Sequence, residues 1–121
     1  MPTGLDNLKV YQLAETLELR VHELTKKFPL DEKYRSVDQL KRSSASVSNN
    51  IAESYNERSP KEKLRIINDI AKSEAEETKR NLAICLKKGF HSDLKIVDDY
   101  TELLKMLSGY VRFLYNLPTA N

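Results

Sequence analysis

Apolar residues recur along most of this chain at separations of three and four, the spacing of one face of an α-helix. Val10, Leu13, Leu17, Val21 and Leu24 form a first stripe, which stops at Phe28-Pro29. A residue before proline is pushed out of the α region, so the pattern predicts a helix over about 9–27. Val37, Leu40, Ser44, Val47, Ile51 and Tyr55 mark a second helix over about 32–56. Its acidic start, Asp31-Glu32, suits the positive end of a helix dipole. Ser59-Pro60-Lys61-Glu62 then reads as a helix start: Ser59 can accept from a backbone N–H, Pro60 loses nothing at the first position, and Glu62 can close a capping box. The third helix, about 60–88, carries Leu64, Ile67, Ala71, Ala75, Thr78, Leu82 and Cys85 and ends at Gly89. Ser92 is expected to cap a fourth, about 93–116, with Ile96, Val97, Tyr100, Leu104, Leu107, Val111 and Leu114 before Pro118.

Strand-like alternation of β-branched residues is missing, so the fold class is all-α. Four helices of similar length with brief connections predict an up-down-up-down antiparallel four-helix bundle. A chain of 121 residues, 40 % of them hydrophobic, can enclose one core, and 1–121 is expected to be a single domain. The lone Cys85 cannot form an intramolecular disulfide, fits a reducing cytoplasm, and lies in phase with Leu82 and Leu86 as a small buried hydrophobe. The N-terminal residues lack a basic region followed by an apolar run, and no stretch approaches the roughly 20 apolar residues of a membrane span. A cytoplasmic protein without membrane contact is expected.

Catalytic signals are sparse. Paired-iron bundles use Glu-x-x-His, but Leu19 and Lys88 stand three residues before His22 and His91. Glu74, Glu76 and Glu77 cluster without a histidine at ligand spacing, as on a solvated helix face. Glu18 and His22 can form an exposed hydrogen-bonded pair, with no nucleophile tied to it. Three glycines do not suffice for a phosphate loop or a nucleophile elbow. The expectation is no enzyme: catalytic residues, metal ligands and cofactors are all assigned as none.

Two helices carry more apolar surface than a four-helix core needs. Ile66, Ile70 and Ile84 lie beside the main stripe of the third helix, and Met106, Tyr110, Phe113 and Leu117 beside that of the fourth. Either tilted helices bury a broader face, or these seven residues form the interface of a homo-oligomer, which is the expectation, since monomers seldom expose large apolar patches. Ser43, Ser44, Ser46 and Ser48 either admit a close helix neighbour or form a neutral solvated face.

Charge adds one lead. The net charge is only +2, but between Ser59 and Gly89 eight Lys or Arg stand against five acids. Lys61, Arg65, Lys72 and Lys79, at offsets of four, seven and seven, would align along roughly 27 Å of regular helix. A phosphate backbone of RNA or DNA could follow that stripe. Glu62, Asp69 and Glu76 run beside it, so a salt-bridge-laced surface is the competing interpretation.

Several motifs resemble one family. Leu8-Lys9-Val10-Tyr11-Gln12, Leu24-Thr25-Lys26-Lys27-Phe28-Pro29, Gln39-Leu40-Lys41-Arg42-Ser43, Asn50-Ile51-Ala52-Glu53 and Arg58-Ser59-Pro60-Lys61-Glu62 are similar to elements of the small four-helix proteins encoded by intervening sequences of bacterial large-subunit ribosomal RNA genes. Ser54 stands where that family usually has glycine, and Lys72-Ser73-Glu74 replaces a usual glycine-serine. The resemblance implies a non-enzymatic assembled bundle, a pentamer in related accessory proteins of diversity-generating retroelements, which bind nucleic acid and a reverse transcriptase. An oligomeric RNA- or DNA-binding scaffold is the first expectation. A protein-only adaptor or accessory subunit, for example for a reverse transcriptase, is the second.

Overall fold

The computed structural model describes residues 4–118, and all regular structure among them is helical. Helix α1 spans Lys9–Thr25, a 3₁₀ turn covers Leu30–Glu32, and α2 spans Ser36–Asn56. Helix α3 runs without a break through Pro60–Arg65, Ile66–Ala71 and Lys72–Lys87, its middle six residues wound as π-helix, and α4 spans Leu94–Tyr115. Helix α2 therefore starts later than the acidic pair suggested, because Arg35 leaves the helical region between the 3₁₀ turn and Ser36.

Contacts between helices fix the topology. Thr78 donates to Ser43 (2.7 Å) and Ser54 to the carbonyl of Lys63 (3.2 Å), so α2 and α3 are antiparallel. Arg20 of α1 reaches Asp93 (3.0 Å) and Asp99 (2.5 Å) at the start of α4. Helix α1 packs on α2 and α4, α3 packs on the same two, and the backbones of the diagonal pairs stay apart. This is the up-down-up-down arrangement that short connections between four helices require.

The core takes Leu17 and Val21 from α1, Leu40 and Ile51 from α2, Leu82 and Cys85 from α3, and Tyr100 and Leu107 from α4. Phe28 closes one end against Phe90 and His91, with ring centroids 5.5 and 6.1 Å away. Ser43, Ser44 and Ser48 are buried, and Ser46 is half-buried, so the serine face of α2 admits neighbours at close range. Their hydroxyls stay satisfied: Ser44 donates to its own helix at Lys41, and the single Ser48 O–H is shared between Glu18 of α1 and the Ala45 carbonyl. Glu18 thus serves as an interhelix acceptor, and the expected Glu18–His22 pair does not form; His22 is exposed.

Caps follow the sequence in two places and depart from it in two. Ser59 Oγ accepts from the Glu62 N–H (3.3 Å), with Pro60 at the first position. Glu62 does not complete the capping box, because its carboxylate binds Arg65; the Ser59 N–H donates to Glu57 instead (3.2 Å). Asp93, and not Ser92, caps α4, accepting from the Ile96 N–H at 3.1 Å. Gly89, at φ 80°, ends α3 in the left-handed conformation that glycine adopts without a Cβ clash.

Candidate nucleic-acid interface

The π segment decides which side chains of α3 share a face. The Lys72 N–H reaches back five residues to the Ile67 carbonyl. A turn closed in this way holds one more residue than an α turn, so the helix before it is rotated by about 100° against the helix after it. Burial shows the consequence. Ile66 is 2 % exposed and Ile67 is fully buried, whereas Leu64, in the regular stripe, is only half-buried. The same rotation divides the proposed basic stripe. Lys61 and Arg65 point to a different side from Lys72 and Lys79, and the Arg65 guanidinium is held by Glu62 at 2.7 Å.

Lys79 instead joins a group assembled from two helices. With Arg80, Glu76 and Ala83 it lines a depression closed on the α4 side by Leu104. Leu104 also borders the next depression along α4, lined by Thr101, Lys105, Ser108 and Arg112. Meeting at Leu104, the two make a shallow groove that runs from the α3–α4 seam onto the outer side of α4, with four cations and a single lining carboxylate. Lys79, Arg80, Lys105 and Arg112 have no ion-pair partner among the described residues. Lys72, one turn before Glu76 on the same flank, is also unpaired. Sequence reasoning missed Arg80, Lys105 and Arg112; α4 shows no basic run, and only the meeting of α3 and α4 around the depression bordered by Ala83 and Leu104 brings the cations of the two helices to one side.

The other flank of α3 is acidic. Glu74 and Glu77 lie one turn apart there, and burial, then the charge and hydrogen bond of Glu77, raise the Glu74 carboxyl above its usual range. Of the three acids after the π segment, only Glu76 shares the side of Lys72, Lys79 and Arg80, which weakens the mutual neutralisation expected of an interlaced surface.

The seven predicted interface residues do not form one patch. Ile66 is already covered by its own chain, so it has no surface to offer; the π turn rotates it inward. Ile70 is half-buried, and Ile84, 43 % exposed, lies on the acidic flank. Met106, Tyr110, Phe113 and Leu117 follow Asp99 along the side of α4 that faces α1. Met106 and Tyr110 pack partly on the core, Tyr110 stacks on Phe113 with centroids 6.2 Å apart, and Phe113 and Leu117 remain 58 % and 39 % exposed.

A larger cleft of about 1040 Å³ lies between α1 and the α3–α4 loop. Three of its polar groups, Arg20, His91 and Asp93, hold the fold together. Arg20 is shared by Asp93 and Asp99, whose hydrogen bond with Arg20 lowers the Asp99 carboxyl below its usual range. His91 contacts the Leu82 carbonyl through Nε2 (2.8 Å) and accepts the Asp93 N–H at Nδ1 (3.1 Å), which fixes the Nε2–H tautomer. Burial pushes the Cys85 thiol up, as for an inert core cysteine. No group of three or more His, Cys, Asp or Glu among the described residues could hold a metal ion, and none of their helices is long and apolar enough to cross a membrane.

Fold and surface together define a class: small all-α four-helix proteins with a basic groove along one seam. The model of the 23S rRNA-intervening sequence protein family matches residues 6–109, and the chain belongs to that family. No curated protein matches the sequence.

Proposed function

We propose that the protein is a non-enzymatic, self-assembling scaffold that binds RNA or DNA through its basic face. The observation that carries this reading is the set of cations on the α3–α4 side that no carboxylate neutralises. Unpaired Lys and Arg can neutralise phosphates and release counterions, whereas paired ones must first give up a partner. The family description, which names an intervening sequence of 23S rRNA, is compatible with RNA as the partner. Exposed Phe113 and Leu117 favour assembly, and the resemblance noted above suggests a ring of five. Repetition of the groove in such a ring would let weak contacts act together.

The test is fluorescence anisotropy with a labelled RNA hairpin at low salt. The protein should bind with little sequence preference, and Lys72→Glu with Lys79→Glu should weaken binding while leaving the helical spectrum unchanged. Absence of binding by the unmodified protein at low salt would overturn the reading. One feature supports a protein-only adaptor as the second reading: Leu19, Leu30 and Leu94 are 62 %, 92 % and 71 % exposed, on the half of the molecule that carries the α1–α2 and α3–α4 connections.

A further inference from the structure

Tyr115 continues the α4 face that forms the basic groove. It stands three residues after Arg112, seven after Ser108 and eleven after Leu104, all spacings that return to one side of a helix. Its ring is 76 % exposed, while the nearby Phe113 lies on the α1 side of the helix, stacked on Tyr110. The groove thus offers cations first and then an open aromatic surface, over about 21 Å from Thr101 to Tyr115 at 1.5 Å per residue. The carboxylates closest to the four cations by helical spacing are Glu76, Glu77 and Glu102, and none of them is within ion-pair distance.

We infer that the α3–α4 groove is a binding site for a single nucleic-acid strand, with its phosphates on Lys79, Arg80, Lys105 and Arg112 and a base stacked on Tyr115. This rests on the nucleic-acid reading above and narrows it to a strand form and a path. Cations set along a backbone track together with an exposed aromatic ring make up the general design of single-strand sites, because every base has a face to stack. A duplex would present phosphates to the same cations but keep its bases from the ring. Ser108 adds a hydroxyl that can donate to phosphate, and the apolar floor at Leu104 and Ala83 competes for neither charge nor hydrogen bonds.

The experiment compares a labelled 12-nucleotide uridine oligomer with a blunt RNA duplex of the same length, measured by anisotropy at low salt. The oligomer should bind more tightly than the duplex. Lys105→Gln with Arg112→Gln should weaken its binding about tenfold or more. Tyr115→Ala should weaken it roughly fivefold or more, the lower end of a stacking contribution, with little change for the duplex. Lys61→Gln, on the rotated first part of α3, should matter little. All four substituted side chains are exposed, and circular dichroism checks that each variant is folded. Binding that survives the Lys105 and Arg112 changes, or a preference for the duplex, would overturn this site and leave the general reading standing. No binding of either nucleic acid would overturn both.

Discussion

At the scale of single residues, helix starts and one buried hydroxyl give the sharpest expectations. Ser59→Ala removes one hydrogen bond at the start of α3 and should cost about 1 kcal/mol. Asp93→Ala removes the α4 cap and also a carboxylate held by Arg20, so it should cost more, and Asp93→Asn should recover most of the cap but not the ion pair. Thermal melts of the three variants check this order. Tyr100 is 1 % exposed and its hydroxyl has no hydrogen-bond partner; burial pushes its ionisation well up. Leaving a buried donor unmade is costly, and removing it is not. Tyr100→Phe should therefore leave the melting temperature unchanged or raise it, and a clear fall would show that the hydroxyl is satisfied. The Ser59 cap was legible because serine, proline and glutamate stand in register. The Asp93 cap was not, because Ser92 beside it is an equally good candidate until the backbone is known.

Among the elements, the clamp between α1 and α4 should govern part of the acid response. The hydrogen bond from Arg20 holds Asp99 below its ordinary range. In the window below that range an unfolded aspartate takes up a proton while Asp99 stays charged, so the unfolded state binds more protons and stability falls as pH drops. The contribution is complete above the ordinary carboxylate range and is lost as pH falls through the lowered Asp99 value. Arg20→Met should flatten this acid limb of a denaturation curve. At neutral pH it should cost only about 1 kcal/mol, because the three groups are 21 to 33 % exposed and solvent screens them. The four helices could be read from apolar spacing alone. The π segment could not, because that reading assumes a regular period throughout, and a single extra residue per turn moved Ile66 into the interior and Lys61 away from Lys79.

For the whole molecule, the rotated register separates folding from assembly. Ile66→Asp should unfold the chain, since an unpaired charge at a site 2 % exposed costs several kcal/mol. Phe113→Asp, at an exposed site, should keep the helical spectrum and reduce the mass measured by light scattering from a multiple of the chain to a single chain. A single-chain mass for the unmodified protein would reject self-assembly. The groove itself was hidden in the sequence because its cations come from segments some 25 residues apart, and only packing joins them.

If the unpaired cations of the α3–α4 groove bind nucleic-acid phosphates, a salt titration of uridine-oligomer binding should show it. Four phosphate contacts on a single strand predict a log–log slope of about −3 for each groove engaged. The Lys105 and Arg112 double variant should roughly halve that slope. Binding that does not change with salt, or no binding at low salt, would show that these cations do not hold nucleic-acid phosphates.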